Sequence, residues 1–162
     1  MKFIISLYFL LLSIFSYAND YDEQTICLAQ NIYHEARGEI VEGQIAVSNV
    51  VINRVKSKQF PNDICSVVYQ RSQIEILDRI LKIIRIPKLC QFEWVCNFKP
   101  NFINDSDSWK NIQTLAQEIV VGVHDDITNG ATHYYNPESV PTPPWANVLI
   151  KTTVIGNHHF YK

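Results

Sequence analysis

Glu35 is the residue of this chain whose setting best suits acid chemistry. It lies in the segment 33–39, which reads Tyr-His-Glu-Ala-Arg-Gly-Glu. Partial burial raises the pKa of a carboxyl group, and the negative charge of nearby Glu39 would act in the same direction. A carboxyl that stays protonated near neutral pH can donate a proton to a leaving oxygen, as in glycosidic-bond cleavage. The competing interpretation is a surface Glu paired with Arg37 or Arg54.

The sequence also contains several aromatic residues that do not follow the regular apolar spacing of a helix or strand facing the core. Each of them alone is more often a core residue. As a set, flanked by Gln, Asn and Thr, they suit a groove that holds sugar rings and N-acetyl groups. The set comprises Tyr33, Phe92, Trp94, His133, Tyr134, Tyr135 and Trp145.

The helix that carries Glu35 is predicted from its capping and its periodicity. Asp20 and Glu23 have capping-box spacing, and apolar residues then recur at helical intervals. Gly38 is a natural residue for a left-handed helix end. Glu35 therefore lies in the last turn, along an apolar ridge.

More helical segments follow along the chain. Apolar periodicity predicts helices over 42–57, 72–86 and 107–121, and Pro61 predicts a helical turn over 61–69. The segment 72–86 is amphipathic. It is interpreted as a surface helix, and the alternative is a helix that binds a partner or a membrane.

The last third of the chain has the residue pattern of short strands separated by turns. Asn129-Gly130 predicts a hairpin turn followed by a strand over 132–135. The segments 151–155 and 158–161 predict a second pair of strands. The sequence thus predicts one compact α+β domain, with helices first and small antiparallel β-hairpins last.

The first residues predict export. Lys2 precedes an apolar run, and Ser16-Tyr17-Ala18 has the small residues of a cleavage site. We expect a signal peptide over 1–18 and a mature catalytic domain over 19–162, located in the periplasm or the cell wall and extracellular space. The alternative is a membrane anchor, but the run is shorter than the ~20 residues that span a bilayer. No stable membrane insertion is expected after cleavage.

Charge and cysteine content restrict the partners further. The net charge is −2 and no Lys/Arg cluster occurs, so a nucleic-acid partner is not expected. The cysteines are Cys27, Cys65, Cys90 and Cys96. In an exported chain an even number favours two disulfides, with three possible pairings. The alternative, a zinc site, lacks the usual spacing. We expect a monomer without metal or cofactor.

The sequence resembles the SleB/CwlJ-type cell wall hydrolases, a family that includes spore-cortex-lytic enzymes. The motifs include Tyr-His-Glu-Ala-Arg-Gly-Glu at 33–39, Gln-Phe-Glu-Trp at 91–94 and Gly-Ala-Thr-His-Tyr at 130–134. The matching stretches run in order through nearly the whole mature chain: 27–39, 43–55, 60–61, 65–70, 91–94, 130–134, 144–146 and 155–161. The chain departs from the family pattern at Asn97-Phe98, where Asp-Gly is usual, and at Tyr135, where His is frequent.

The resemblance implies a compact relative of lysozyme-type folds that acts on peptidoglycan glycan strands. It implies cleavage of the MurNAc–GlcNAc bond, by lytic transglycosylation in at least some members, with Glu35 as general acid and base. Together with Tyr33, the motif positions expected along the glycan cleft are Gln91, Phe92, Trp94, Thr132, His133 and Tyr134.

Other functions stay open at this point. A true hydrolase normally needs a second carboxylate. The candidates for it are Glu39, Glu42, Asp125 and Asp126. A zinc-dependent N-acetylmuramoyl-L-alanine amidase needs three protein ligands, yet His34-Glu35 does not continue into H-E-x-x-H. A nucleophilic cysteine is disfavoured because cysteines of exported proteins are usually bonded. A non-catalytic peptidoglycan-binding module would use the same aromatic groove.

Overall fold

A computed structural model of the chain describes residues 21–71, 90–97, 103 and 105–162. The predicted signal peptide, 1–18, and the predicted helix 72–86 lie outside these residues. Within the described ranges, no helix is long and apolar enough to cross a membrane.

The first helix, α1, runs from Glu23 to Ala36 and carries Glu35 in its last turn, as predicted. Its N-cap is Asp22 rather than Asp20, and the Asp22 carboxylate accepts a hydrogen bond from the Thr25 amide at 2.9 Å. This bond satisfies one of the amide groups that the first turn of a helix leaves unpaired.

The end of α1 differs from the prediction. The left-handed glycines of the described chain are Gly122, Gly130 and Gly156, so the predicted left-handed end at Gly38 is wrong. Instead, the Glu39 amide donates to the Ala36 carbonyl at 3.0 Å, and the chain enters the next helix directly.

Four further α-helices lie within the described residues. Helix α2 is Val41–Lys56, one residue from the predicted bounds. Helix α3 is Ile64–Val68 and begins later than predicted, because Asp63 caps it by accepting from the Ser66 amide at 2.8 Å. A short helix, α4, spans Glu93–Cys96. Helix α5 is Ser106–Val120.

The main hydrophobic core lies where α1 packs against α2, α3 and α5. The exclusion of these apolar side chains from water is the main favourable contribution to this packing, at about 1.5–3 kcal/mol for a fully buried Leu, Ile or Val. The side chains that are 0% exposed include Leu28, Ile32, Val51, Val67 and Val68.

Within the described part of the chain, three strands form one antiparallel sheet: β1, His133–Tyr135, β2, Lys151–Ile155, and β3, His158–Tyr161, in the order β1-β3-β2. The hairpin of β2 and β3 agrees with the prediction. Strand β1 pairs with the other edge of β3. Phe160 of β3 is fully buried in a second apolar cluster. The sheet is therefore packed onto α2, and the α+β prediction is confirmed.

The turn at Asn129-Gly130 is real but does not join two strands. Both residues have positive φ, 57° and 80°. The segment before them is instead organised by Asp126, whose carboxylate accepts from the amides of Thr128 at 2.8 Å and Gly130 at 2.7 Å. The predicted hairpin at this point is wrong, because β1 finds its partner in β3.

Two disulfides are present, as the cysteine count predicts. Cys27–Cys65 joins α1 to α3 across 38 residues of sequence, and Cys90–Cys96 closes a local loop across 6 residues. The first therefore restrains the global fold, whereas the second fixes a short segment.

The two bridges should differ in their contribution to stability. A longer loop loses more entropy on closure, so replacing Cys27 and Cys65 with Ala should lower the free energy of unfolding by roughly 4 kcal/mol. Replacing Cys90 and Cys96 should lower it by roughly 2 kcal/mol. Urea unfolding of both double variants measures the difference. Equal losses, or a larger loss for Cys90 and Cys96, would contradict this expectation.

Candidate active site

A cavity of about 270 Å³ lies where the C-terminal ends of α1 and α2 approach the loop before α4 and the sheet. It brings together residues from well-separated parts of the sequence. The side chains that line it are Glu35, Arg54, Gln91, Phe92, Glu93, His133, Tyr134 and Trp145.

Glu35 is partly buried in this cavity and is held by Tyr134. The Tyr134 hydroxyl donates a hydrogen bond to Glu35 Oε2 at 2.9 Å. Burial raises the pKa of Glu35; the Tyr134 hydrogen bond opposes this, the Glu93 charge raises the pKa further, and Arg54 again opposes. The net direction is upward, so the protonated carboxyl persists to higher pH than in an ordinary Glu.

Arg54 is a buried cation beside this carboxyl and is only 3% exposed. Its Nε donates to the Thr132 carbonyl at 2.7 Å, and its guanidinium carbon lies 5.3 Å and 5.5 Å from the ring centres of Phe60 and Phe92. With its amide oriented to satisfy both groups, Gln91 accepts from the two Arg54 amino groups at 3.0 and 3.1 Å. Burial lowers the pKa of Arg54 to about 10, so it stays charged at neutral pH.

Tyr134 reaches Glu35 from β1, an edge strand of the sheet. Its ring meets His158 edge-on at 5.3 Å and lies 5.8 Å from Phe160. Burial, together with the adjacent Glu35 carboxylate, raises the pKa of Tyr134 well above its ordinary value. The phenol therefore remains a hydrogen-bond donor throughout the working pH range of an enzyme.

One wall of the cavity is aromatic. The His133 ring lies 5.1 Å from Trp145 and 6.3 Å from Phe60. Burial lowers the pKa of His133, and the Arg54 charge acts in the same direction, so the imidazole is neutral at pH 7. This wall offers flat apolar faces next to the acid.

Glu39 does not take part in the cavity, in contrast to the expectation that its charge would act on Glu35. It lies under the β2–β3 turn, where its carboxylate accepts from Asn157 Nδ2 at 3.3 Å. A Cβ at Gly156 would meet Glu39 Oε2 at 2.5 Å, so the turn fits around this carboxylate. The carboxylate that does act on Glu35 is Glu93.

The remaining candidates for a second carboxylate also lie elsewhere. Glu42 and Asp125 are exposed and do not line the cavity, and Asp126 organises the turn before β1. Glu93 was missed as a candidate because only its place inside the Gln-Phe-Glu-Trp motif at 91–94 marked it. Among the described residues, no group of three or more His, Cys, Asp or Glu side chains is arranged to hold a metal ion.

Four of the predicted binding residues line the cavity, and three do not. Those that line it are Gln91, Phe92, His133 and Tyr134. Thr132 is adjacent to the cavity, because its carbonyl binds Arg54 and its hydroxyl contacts His133 Nδ1 at 3.0 Å. Arg54 was missed as a lining residue, since its contacts join parts of the chain that are far apart in sequence.

Tyr33 and Trp94 support the cavity from outside. Tyr33 is 4% exposed and packs edge-on against Trp109 at 5.9 Å, so the structure places it in the core and not among the residues that line the cavity. Trp94 stacks on His34 at 4.4 Å, with the ring planes 20° apart. These contacts fix the last turn of α1, which carries Glu35.

Comparisons with known proteins place the chain in a family. The sequence model of the family described as Cell Wall Hydrolase matches residues 38–161. The spore cortex-lytic enzyme of Bacillus subtilis (strain 168) is 28% identical over 136 residues, which cover 82% of this chain and 35% of that protein. The enzyme of the same name from Oceanobacillus iheyensis is 27% identical over 145 residues, which cover 88% of this chain and 43% of that protein. The chain thus spans less than half the length of these relatives.

The fold is also similar to solved structures. The catalytic domain of the germination-specific lytic transglycosylase SleB from Bacillus anthracis superposes with a TM-score of 0.62 and is 26% identical, covering 89% of this chain and 98% of that domain. The catalytic domain of the Bacillus cereus SleB protein gives a TM-score of 0.52 at 26% identity, covering 89% of this chain and 94% of that domain. Since the family model also matches most of its length, this chain belongs to the cell wall hydrolase family.

Proposed function

We propose that this protein cleaves the MurNAc–GlcNAc bond of peptidoglycan as a lytic transglycosylase, with Glu35 as acid and then base. The observation that carries the proposal is the partly buried Glu35 carboxyl, which has a raised pKa and a hydrogen bond from Tyr134 inside an open cavity. The similarity to a lytic transglycosylase domain supports the same reaction.

In the first step, protonated Glu35 donates its proton to the glycosidic oxygen. The bond between that oxygen and C1 of MurNAc breaks, so C1 acquires oxocarbenium character and Glu35 becomes a carboxylate. Tyr134 and Arg54 both favour the charged form of Glu35, and they therefore stabilise the carboxylate that this step creates.

In the second step, the Glu35 carboxylate accepts the proton of the MurNAc 6-hydroxyl. The O6 oxygen then bonds to C1 and closes a 1,6-anhydro ring, which leaves Glu35 protonated for the next turnover. A raised pKa suits both steps, because the group must hold a proton before bond cleavage and recover one afterwards. One carboxyl group is sufficient for both steps of the reaction.

The cavity walls suit a glycan strand. The rings of His133 and Trp145 offer surfaces for sugar rings, Phe92 packs beside Arg54 at the base of the same walls, and the Gln91 amide adds a polar group to them. Arg54 holds Gln91 and the Thr132 carbonyl, so it positions the two sides of the cleft relative to each other. This arrangement supports Gln91, Phe92, His133 and Tyr134 as substrate-binding residues.

The proposed site of action is outside the cytoplasm. A signal peptide over 1–18 would direct the domain over 19–162 to the periplasm or the cell wall, where peptidoglycan is found. Two disulfides suit that oxidising environment. We propose that the mature domain acts there as a monomer, without a cofactor.

Glu35→Gln should abolish the release of anhydro-muramoyl ends. The amide is nearly isosteric but cannot donate a carboxyl proton, so turnover should fall by a factor on the order of 100 or more. Mass spectrometry of muropeptides released from purified peptidoglycan measures it, with Glu42→Gln as the control for an exposed carboxylate. Because the pKa of Glu35 is raised in the folded protein, ionisation of this carboxyl lowers the free energy of unfolding as the pH rises through that pKa. The uncharged amide should therefore not weaken the fold at neutral pH. Free stem peptides that persist in the variant would instead indicate an amidase.

Tyr134→Phe should move the alkaline limb of the pH–rate profile to higher pH. The lost hydrogen bond stabilises the Glu35 carboxylate, so its removal raises the pKa of Glu35 further. Activity requires protonated Glu35 and is lost as pH rises through that pKa. Rates of peptidoglycan solubilisation across pH measure the shift, with Tyr21→Phe as the matched control. A limb that stays in place, or moves to lower pH, would contradict this role of Tyr134.

A further inference from the structure

We propose that Glu93 is a second functional carboxylate of the cleft, which activates a water molecule so that a share of turnovers ends in hydrolysis. This inference rests on the proposed function, since it concerns the fate of the same reaction intermediate. Of the carboxylates in the described residues, only Glu35 and Glu93 line the cavity.

The position of Glu93 is fixed by its local structure. It is the first residue of α4, inside the loop that the Cys90–Cys96 disulfide closes. Asn97 Nδ2 donates to Glu93 Oε1 at 3.1 Å, and the Asn97 amide donates to the Glu93 carbonyl at 3.2 Å. The preceding residue, Phe92, is only 4% exposed. The Glu93 carboxylate is therefore held at the cavity mouth rather than free to turn away.

The hydrogen bonding of Glu93 leaves capacity for a water molecule. Asn97 occupies Oε1, and within the described part of the chain no donor contacts Oε2. The side chain is exposed, so solvent reaches it directly. Glu93 lines the same cavity as Glu35, and its charge raises the pKa of the Glu35 carboxyl. An oxygen acceptor with access to water, beside the acid, is what a hydrolytic step requires.

Glu35 gives its proton to the departing GlcNAc oxygen, and the C1–O bond of MurNAc breaks. A water oxygen then bonds to C1 while Glu93 accepts one of the water protons, which yields a reducing MurNAc end. Glu93 releases that proton to solvent, and Glu35 takes one from solvent. Ring closure by the 6-hydroxyl competes with this step and uses only Glu35.

The test is the product ratio in water enriched in oxygen-18. A reducing end formed by water attack gains one labelled oxygen at C1, whereas an anhydro end gains none, and mass spectrometry of the released muropeptides separates them. Wild-type protein should release both kinds of end. Glu93→Gln keeps an oxygen acceptor for Asn97 but lacks the base, so the labelled share should fall on the order of 100-fold. The Glu93 charge also raises the pKa of Glu35, so the variant should lose anhydro ends at a lower pH than wild type does. The two products are therefore compared at one acidic pH at which both proteins still form anhydro ends.

Glu42→Gln is the matched control, because it removes an exposed charge in the first turn of α2, away from the cavity. It should leave the labelled share unchanged. Three results would overturn the inference: wild type that releases anhydro ends alone, an unchanged labelled share in Glu93→Gln, or a parallel loss of both products in that variant. Wild type that releases neither kind of glycan end would refute the proposed function itself, and this outcome is distinct from the other three.

Discussion

The active site depends on the pKa of Glu35, which is set by two opposing effects: the burial of the carboxyl, and the two groups that stabilise its charged form. Burial favours the protonated acid, whereas the Tyr134 hydroxyl and the Arg54 cation favour the carboxylate. Neither effect alone suits a group that must give a proton and then take one back. The three side chains come from α1, α2 and β1, so the balance exists only when the helical layer and the sheet are joined in one arrangement.

The contacts that join these two layers therefore bear on the chemistry. Phe160 of β3 packs on Ala46 and Val50 of α2, and β3 in turn holds β1 with its Tyr134. Glu39 has a related part, because it follows α1 and binds the β2–β3 turn through Asn157. Glu39 lies three positions beyond the end of α1, so it ties the helix end that carries Glu35 to the sheet. Its carboxylate acts on the fold, while the carboxylate that acts on Glu35 comes from the disulfide-closed loop.

Elements whose signals are local were predicted well from the sequence. Apolar periodicity gave α2 and α5 to within one residue, and Gly156-Asn157 located the β2–β3 hairpin. The place of Glu35 in the last turn of α1 was predicted because the periodicity of that helix is a local feature. The parts that were missed depend on contacts between distant segments. Nothing in the sequence near Arg54 indicates that it binds the Thr132 carbonyl, and Tyr33 turns into the core because α5 presents Trp109 to it. Asn129-Gly130 forms the predicted turn, but the strand that follows it, β1, pairs with β3, which is distant in sequence.

The folded protein holds Glu35 as an acid with a raised pKa, and the ionisation of this carboxyl can be followed directly. Carbon-13 labelling of the Glu side chains, with Glu35→Gln to assign the resonance, allows the carboxyl shift to be titrated by NMR in the free protein. We predict a midpoint clearly above the ordinary Glu value of about 4.3, with burial as the main cause. A midpoint at or below that value would mean that Tyr134 and Arg54 outweigh burial. In that case Glu35 would be a carboxylate at neutral pH, and its assignment as the proton donor would be wrong.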